Sequence, residues 1–343
     1  MGIPPEAGHG LRALPLLLVC LLPWALGVSP LRGQNTHVVL IAGLGGDQEY
    51  TTTFHGWLSR FADAASERYG VDRARITYFG EKTELDPTTI NARSTADNIR
   101  SGFAELAEAM TPEDDVVLLM VGHGTFRDNV ARFNIPGPDL TPEDLDGLLD
   151  GLGDRQITVI NTATASGPFL EPLSGPKRTI IVATKSGREQ NLTRFGLYFV
   201  DAFAGDGADL DKDTRVSMLE AFTYAVQEVA REYEGDGQIL TEHALLDDNG
   251  DGEANTEDAE SPKDGALAGR TFLASTSGSR ASAAVTPALQ ALYDEKSAIE
   301  ARIEELRVIK GQIPQERYED ELENLLVELA LKNREIRSAG ESR

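Results

Sequence analysis

The sequence predicts an α/β fold with a parallel central sheet, and three observations carry that expectation. Thr36 to Ala42, Val116 to Val121 and Ile157 to Ile160 are short runs of β-branched and other apolar residues, the pattern of strands buried on both faces. Each run leads into small residues: Gly43-Leu44-Gly45-Gly46, Gly122-His123-Gly124 and, after Asn161, Thr162-Ala163-Thr164-Ala165-Ser166-Gly167. Amphipathic stretches with short connections lie between them, the alternation that places helices on the faces of a parallel sheet.

Taken in order, the first strand is followed by a glycine-rich loop with neither a G-x-G-x-x-G pattern nor a Walker lysine, so a tight turn is expected there and not a phosphate cradle. Phe54 to Tyr69 predicts a helix with Phe54, Leu58, Phe61 and Ala65 on one face, and Gly70 fits its C-cap. Arg75 to Phe79 is the second expected strand, and Ser94 to Met110 the next helix, ended by Thr111-Pro112. Thr125 to Asp139, with Pro136, Gly137 and Pro138, is expected to be a loop. Thr141-Pro142 opens a helix with a threonine cap and proline at its first position. Thr179 to Ala183 and Phe195 to Ala204 follow as strand and helix. In an open parallel sheet, ligands gather outside the carboxyl ends of the strands, which is where His123 and the hydroxyl-rich 162–167 loop would both lie.

The chain has 343 residues and a net charge of −24, which excludes nucleic acid and anionic membrane surfaces as natural partners and favours cations. Ala13 to Val28 is almost wholly apolar, preceded by Arg12 and interrupted by Pro15 and Pro23. Residues 1–33 are expected to be a secretory signal peptide, with an uncleaved N-terminal anchor as the alternative, so the location is extracytoplasmic, periplasmic or secreted. The single cysteine, Cys20, lies inside that segment, so the remaining chain has no thiol nucleophile and no disulfide.

The Gly-His-Gly and Thr-Ala-Thr-Ala-Ser-Gly motifs, at the ends of successive strands, resemble the legumain branch of the caspase-like cysteine peptidases over roughly His37 to Ala204. In that family a His-Gly follows one strand and the nucleophile follows the next, in an acidic-Ala-Cys-x-Ser-Gly frame. The resemblance implies a caspase-like sandwich spanning residues 37–273, with His123 and Gly124 as the histidine element, Thr164 in the nucleophile's place and Ser166 closing the frame. Thr162 replaces the family's acidic residue, and Gln48-Glu49-Tyr50-Thr51 stands where relatives carry a substrate-reading arginine. An alcohol is far less acidic than a thiol and needs a base within hydrogen-bond reach, itself oriented by a third group. The leading expectation is therefore a catalytically silent protein that binds a protein or peptide ligand or serves in assembly. The alternative is a hydrolase using Thr164 or Ser166 with His123. A third possibility is an unrelated calcium-binding domain with a structural His123.

Two acidic loops follow. Residues 209–220 match the calcium loop of an EF-hand at Asp209, Asp211, Asp213, Ser217 and Glu220, with the Arg215 backbone carbonyl at the seventh position. Thr214 departs from the pattern where glycine allows the sharp turn. Residues 247–258 offer Asp247, Asn249, Asp251, Glu253 and Asp258, with the sixth-position glycine present as Gly252. Calcium is the expected ion because hard oxygen donors at alternate positions wrap it.

Residues 274–286 form a Ser/Ala-rich linker, and 287–338 are expected to be a helical hairpin. Leu292, Ile299, Leu306 and Ile313 recur at heptad spacing, Pro314 breaks the run, and Tyr318, Leu322, Leu325, Leu329 and Ile336 form the second stripe. Two helices alone bury little surface, so the hairpin is expected to oligomerise, to dock a partner, or to contact the main domain.

Overall fold

A computed structural model describes residues 35–254, 263–273, 287–308 and 314–341, together with Gly2 and Lys310. The expected signal segment, the 274–286 linker, Ile313 and Asp258 lie outside the described residues. Strand β1 (Thr36–Ala42) leads to helix α1 (Gln48–Glu67), β2 (Ile76–Gly80), β3 (Ala92–Arg93) and α2 (Ala96–Ala109). Next come β4 (Asp115–Val121), β5 (Gly124–Arg127), β6 (Val130–Phe133), α3 (Pro142–Asp150), β7 (Ile157–Asn161), the single turn α4 (Leu170–Leu173) and β8 (Arg178–Val182). Helices α5 (Phe195–Ala204) and α6 (Met218–Gly235) precede β9 (Leu245–Asp247), and the chain closes with α7 (Pro287–Val308) and α8 (Gln315–Glu341).

Seven strands make one sheet in the order β3-β2-β1-β4-β7-β8-β9. All neighbours are parallel except β8 and β9. Period-2 alternation divides the core into two layers. Val38, Leu40, Val117 and Leu119 face α1, α5 and α6, whereas Val39, Ile41, Leu118 and Met120 face α2, α3 and α4. Helices on both faces of a mostly parallel sheet make this a caspase-like α/β sandwich, and α7 and α8 add the C-terminal helical hairpin. Among the described residues no helix is long and apolar enough to cross a membrane.

Three local outcomes differ from the sequence reading. Helix α1 begins at Gln48, a turn and a half before Phe54, because Asp47 caps it by accepting from the Tyr50 N–H. The β-branched Thr51 and Thr52 are accommodated by donating back to the Asp47 and Gln48 carbonyls. The expected loop after His123 contains the two-stranded hairpin β5–β6. Its turn residues Asp128 and Asn129 both have positive φ, 53° and 62°, the requirement of a tight hairpin turn. The sheet is also not wholly parallel, since β9 adds an antiparallel edge three residues long, too short to show a period in sequence.

Candidate functional site: the carboxyl edge and the acidic loops

Strands β4 and β7 are adjacent and parallel, so His123 and Thr164 emerge at the same edge of the sheet. The approach there is tight: a Cβ on Gly124 would lie 2.1 Å from the Thr164 carbonyl oxygen, so only glycine fits. The Thr164 hydroxyl accepts from the Gly124 N–H at 2.9 Å and donates to the Gly124 carbonyl at 2.9 Å. Thr164 is buried, and the next residue, Ala165, takes a left-handed φ of 55° and donates its N–H to the Glu189 carbonyl at 2.8 Å. Ser166 is also buried. Its hydroxyl accepts from the Ala183 N–H and pairs with Thr184, bracing the end of β8.

His123 is half-buried between the rings of Tyr50 and Phe54, which meet it edge-on at 5.1 and 5.2 Å. Burial pushes its pKa below the ordinary imidazole value, opposed by a hydrogen bond to the Gly45 backbone and by Asp47. The Gly45 loop is itself held by Glu81, whose Oε2 accepts from the Gly45 N–H at 3.1 Å and the Thr51 hydroxyl at 2.8 Å. The sequence did not single out Glu81, and its only signal was a glutamate at the end of an apolar strand. A second unanticipated pair joins the segment after β8 to the one before β9: His243 Nδ1 contacts Glu189 Oε1 at 2.6 Å.

The two acidic loops share one backbone. Their fourth and sixth positions are left-handed in both, Lys212 and Thr214 at 64° and 75°, Gly250 and Gly252 at 80° and 75°. The sixth N–H donates to the first carboxylate, Thr214 to Asp209 and Gly252 to Asp247. The fifth donates to the third side chain, Asp213 to Asp211 and Asp251 to Asn249. The seventh donates to the fifth, Arg215 to Asp213 and Glu253 to Asp251. The first loop brings carboxylate oxygens of Asp209, Asp211 and Asp213 within 4.8 Å of one another. Glu220 is turned elsewhere: Oε2 accepts from the Ser217 N–H and hydroxyl in the capping box of α6, and Oε1 from Leu210 and Asp211. Burial raises the pKa of both Asp209 and Glu220, partly offset by these backbone hydrogen bonds.

The first loop already holds a cation of the chain's own. The Lys296 ammonium, from α7, lies 2.7 Å from Asp211 Oδ2 and contacts Asp213 Oδ2. Burial opposes its charge, but Asp213, Glu300 and Asp211 outweigh that and hold its pKa above the ordinary lysine value. A lysine inside the Leu292–Ile299–Ile303 stripe was the sequence signal for this contact.

No family model and no curated protein matches this sequence. Among solved structures, the crystal structure of protein GSU0716 from Geobacter sulfurreducens is similar at 12% identity and a TM-score of 0.41, over 62% of this chain and 92% of that one.

Proposed function

We propose that this is a legumain-like, caspase-fold protein without cysteine-peptidase activity, acting outside the cytoplasm by binding a protein or peptide ligand. One observation carries the reading: the Thr164 hydroxyl is closed on Gly124 in both directions. An attacking alcohol must give its proton to a base, and the oxyanion it creates must find preorganised N–H donors. Here the proton points to a backbone carbonyl, while the hydroxyl itself takes the Gly124 N–H and Glu189 takes that of Ala165. The Thr164 hydroxyl is thus a structural tie between the two strand ends.

The test separates tie from nucleophile. A fluorophosphonate probe should leave the full chain unlabelled, and labelling lost in Thr164→Ala would sink the reading. Thr164→Val, which keeps the shape and removes the hydroxyl, should lower stability by about 2 kcal/mol by leaving the Gly124 groups unpaired. Thr164→Ser should lose less than half of that.

Calcium is the ion this reading assigns to the acidic loops, because the first presents aspartate oxygens and the second aspartate and asparagine oxygens on matching hydrogen-bonded frames. Asp209, Asp211 and Asp213 would hold it in the first loop, and Asp247, Asn249 and Asp251 in the second. Extracytoplasmic calcium, near millimolar, would occupy even a weak site.

A further inference from the structure

Helix α7 meets the first acidic loop through three side-chain contacts that belong together. The Lys296 ammonium, its side chain 4% exposed, sits against Asp211 and Asp213 and 3.4 Å from Glu300 on its own helix. The Tyr293 hydroxyl, one helical turn earlier, donates to the Asp213 carbonyl at 3.1 Å and pairs with the Thr214 hydroxyl at 2.9 Å. The Arg215 guanidinium is stacked between Phe272 and Tyr293, with ring centroids 4.0 and 4.1 Å away. Lysine, tyrosine and the loop's own arginine therefore fix the arm's position on this loop.

We propose that the first acidic loop is a socket for the C-terminal arm, in which the Lys296 ammonium stands where a divalent cation would be held, so that arm docking and cation binding exclude one another. This rests on the reading of the loop as a calcium site. A calcium ion sits roughly 2.3–2.6 Å from each carboxylate oxygen it binds. A nitrogen 2.7 Å from Asp211 Oδ2 and touching Asp213 Oδ2 takes up two of the three carboxylates that would hold the ion. An ammonium and a divalent ion cannot both sit between Asp211 and Asp213. Even with the Arg215 guanidinium 3.2 Å from Asp213, the carboxylates of Asp209, Asp211, Asp213 and Glu300 outnumber the two cations, an excess that a divalent ion would neutralise better. Differential affinity for two states is what lets a ligand shift an equilibrium. Calcium binds the undocked state, and its arrival frees Tyr293 and Lys296 to another surface. The second loop is built differently: among the described residues its nearest lysine, Lys263, is exposed and stands 3.8 Å from Asp251 and Glu253.

The experiment uses the full chain carrying Asp251→Ala, which silences the second loop, with and without Lys296→Met. Calcium titration calorimetry should show affinity at least about tenfold tighter in the Lys296→Met form, within the usual range of coupling between competing sites. In the form with Lys296 intact, hydrogen exchange over 287–308 should accelerate when calcium replaces chelator, while that over 195–204 stays unchanged. Equal affinities together with unchanged exchange would overturn the competition and leave the calcium reading standing. No heat of binding in either form would overturn both. Because the exchange measurement needs no change at Lys296, a variant that folds poorly cannot mask the answer.

Discussion

The two acidic loops share their left-handed positions and three matching internal hydrogen bonds, yet they meet different cations. In the first, a buried lysine from a distant helix lies among Asp211, Asp213 and Glu300. In the second, the corresponding side chains of Asn249 and Asp251 are exposed at the end of β9. The difference teaches that a cation-loop pattern specifies a shape and a charge, not the identity of the cation. Twelve residues can build a ring of oxygens, but what enters it depends on which other element the fold brings within reach.

The largest test of that comparison removes the lysine. Lys296→Ala takes the ammonium from the buried Asp213 carboxylate, which keeps the Arg215 guanidinium at 3.2 Å, so the cost should be about 2 kcal/mol, below that of leaving a buried charge wholly unpaired. The loss should fall on the docked arm, read as a lowered melting temperature in chelator or as earlier proteolysis of 287–341. Millimolar calcium should restore the body of the protein but not the arm. Melting that is equally low with and without calcium would mean that the first loop is a lysine socket alone.

A smaller effect separates the loops by backbone. Gly252 has φ of 75°, and Gly252→Ala should destabilise by about 1 kcal/mol, since an L side chain resists the left-handed region. Thr214 has the same φ and already bears that strain, with its hydroxyl bonded to Tyr293. Thr214→Gly should relieve the strain but lose the contact, for a net change within about 0.5 kcal/mol in chemical denaturation. A large loss in Thr214→Gly would mean that the Tyr293 contact matters more than the backbone.

The smallest effect is in pH. The raised pKa of Glu220 means that the folded state holds a proton after the unfolded chain has released it. Its stabilising contribution is therefore present below the ordinary glutamate range and is lost as pH rises through the folded value. In chelator the wild type should lose stability over that window. Glu220→Gln, which keeps the capping-box geometry, should flatten the slope. An unchanged slope would place the titration elsewhere.

At the carboxyl edge of the sheet, the sequence was legible for position and silent on use. The runs ending at Gly122-His123-Gly124 and at Thr164 gave two neighbouring strand ends, since apolar runs of that length flanked by small residues have few other fates. Nothing local could say that the Thr164 hydroxyl would close on Gly124, because that contact spans 40 residues and depends on how closely β4 and β7 approach at their ends. Glu81 and the Glu189–His243 pair leave no local trace for the same reason, as each acts across loops that no period connects.

What the sequence determined by itself was what repeats or alternates: the strand runs, the helix faces, the spacing of the oxygen-bearing residues in the two acidic loops, and the heptad stripe of the hairpin. These follow from backbone geometry and the removal of apolar surface from water, which act over a few residues at a time. The tertiary structure alone decided which polar groups became partners. A buried polar group must be satisfied by whatever packs against it, so Thr164 went to Gly124 and Asp213 to Lys296 once the elements were assembled.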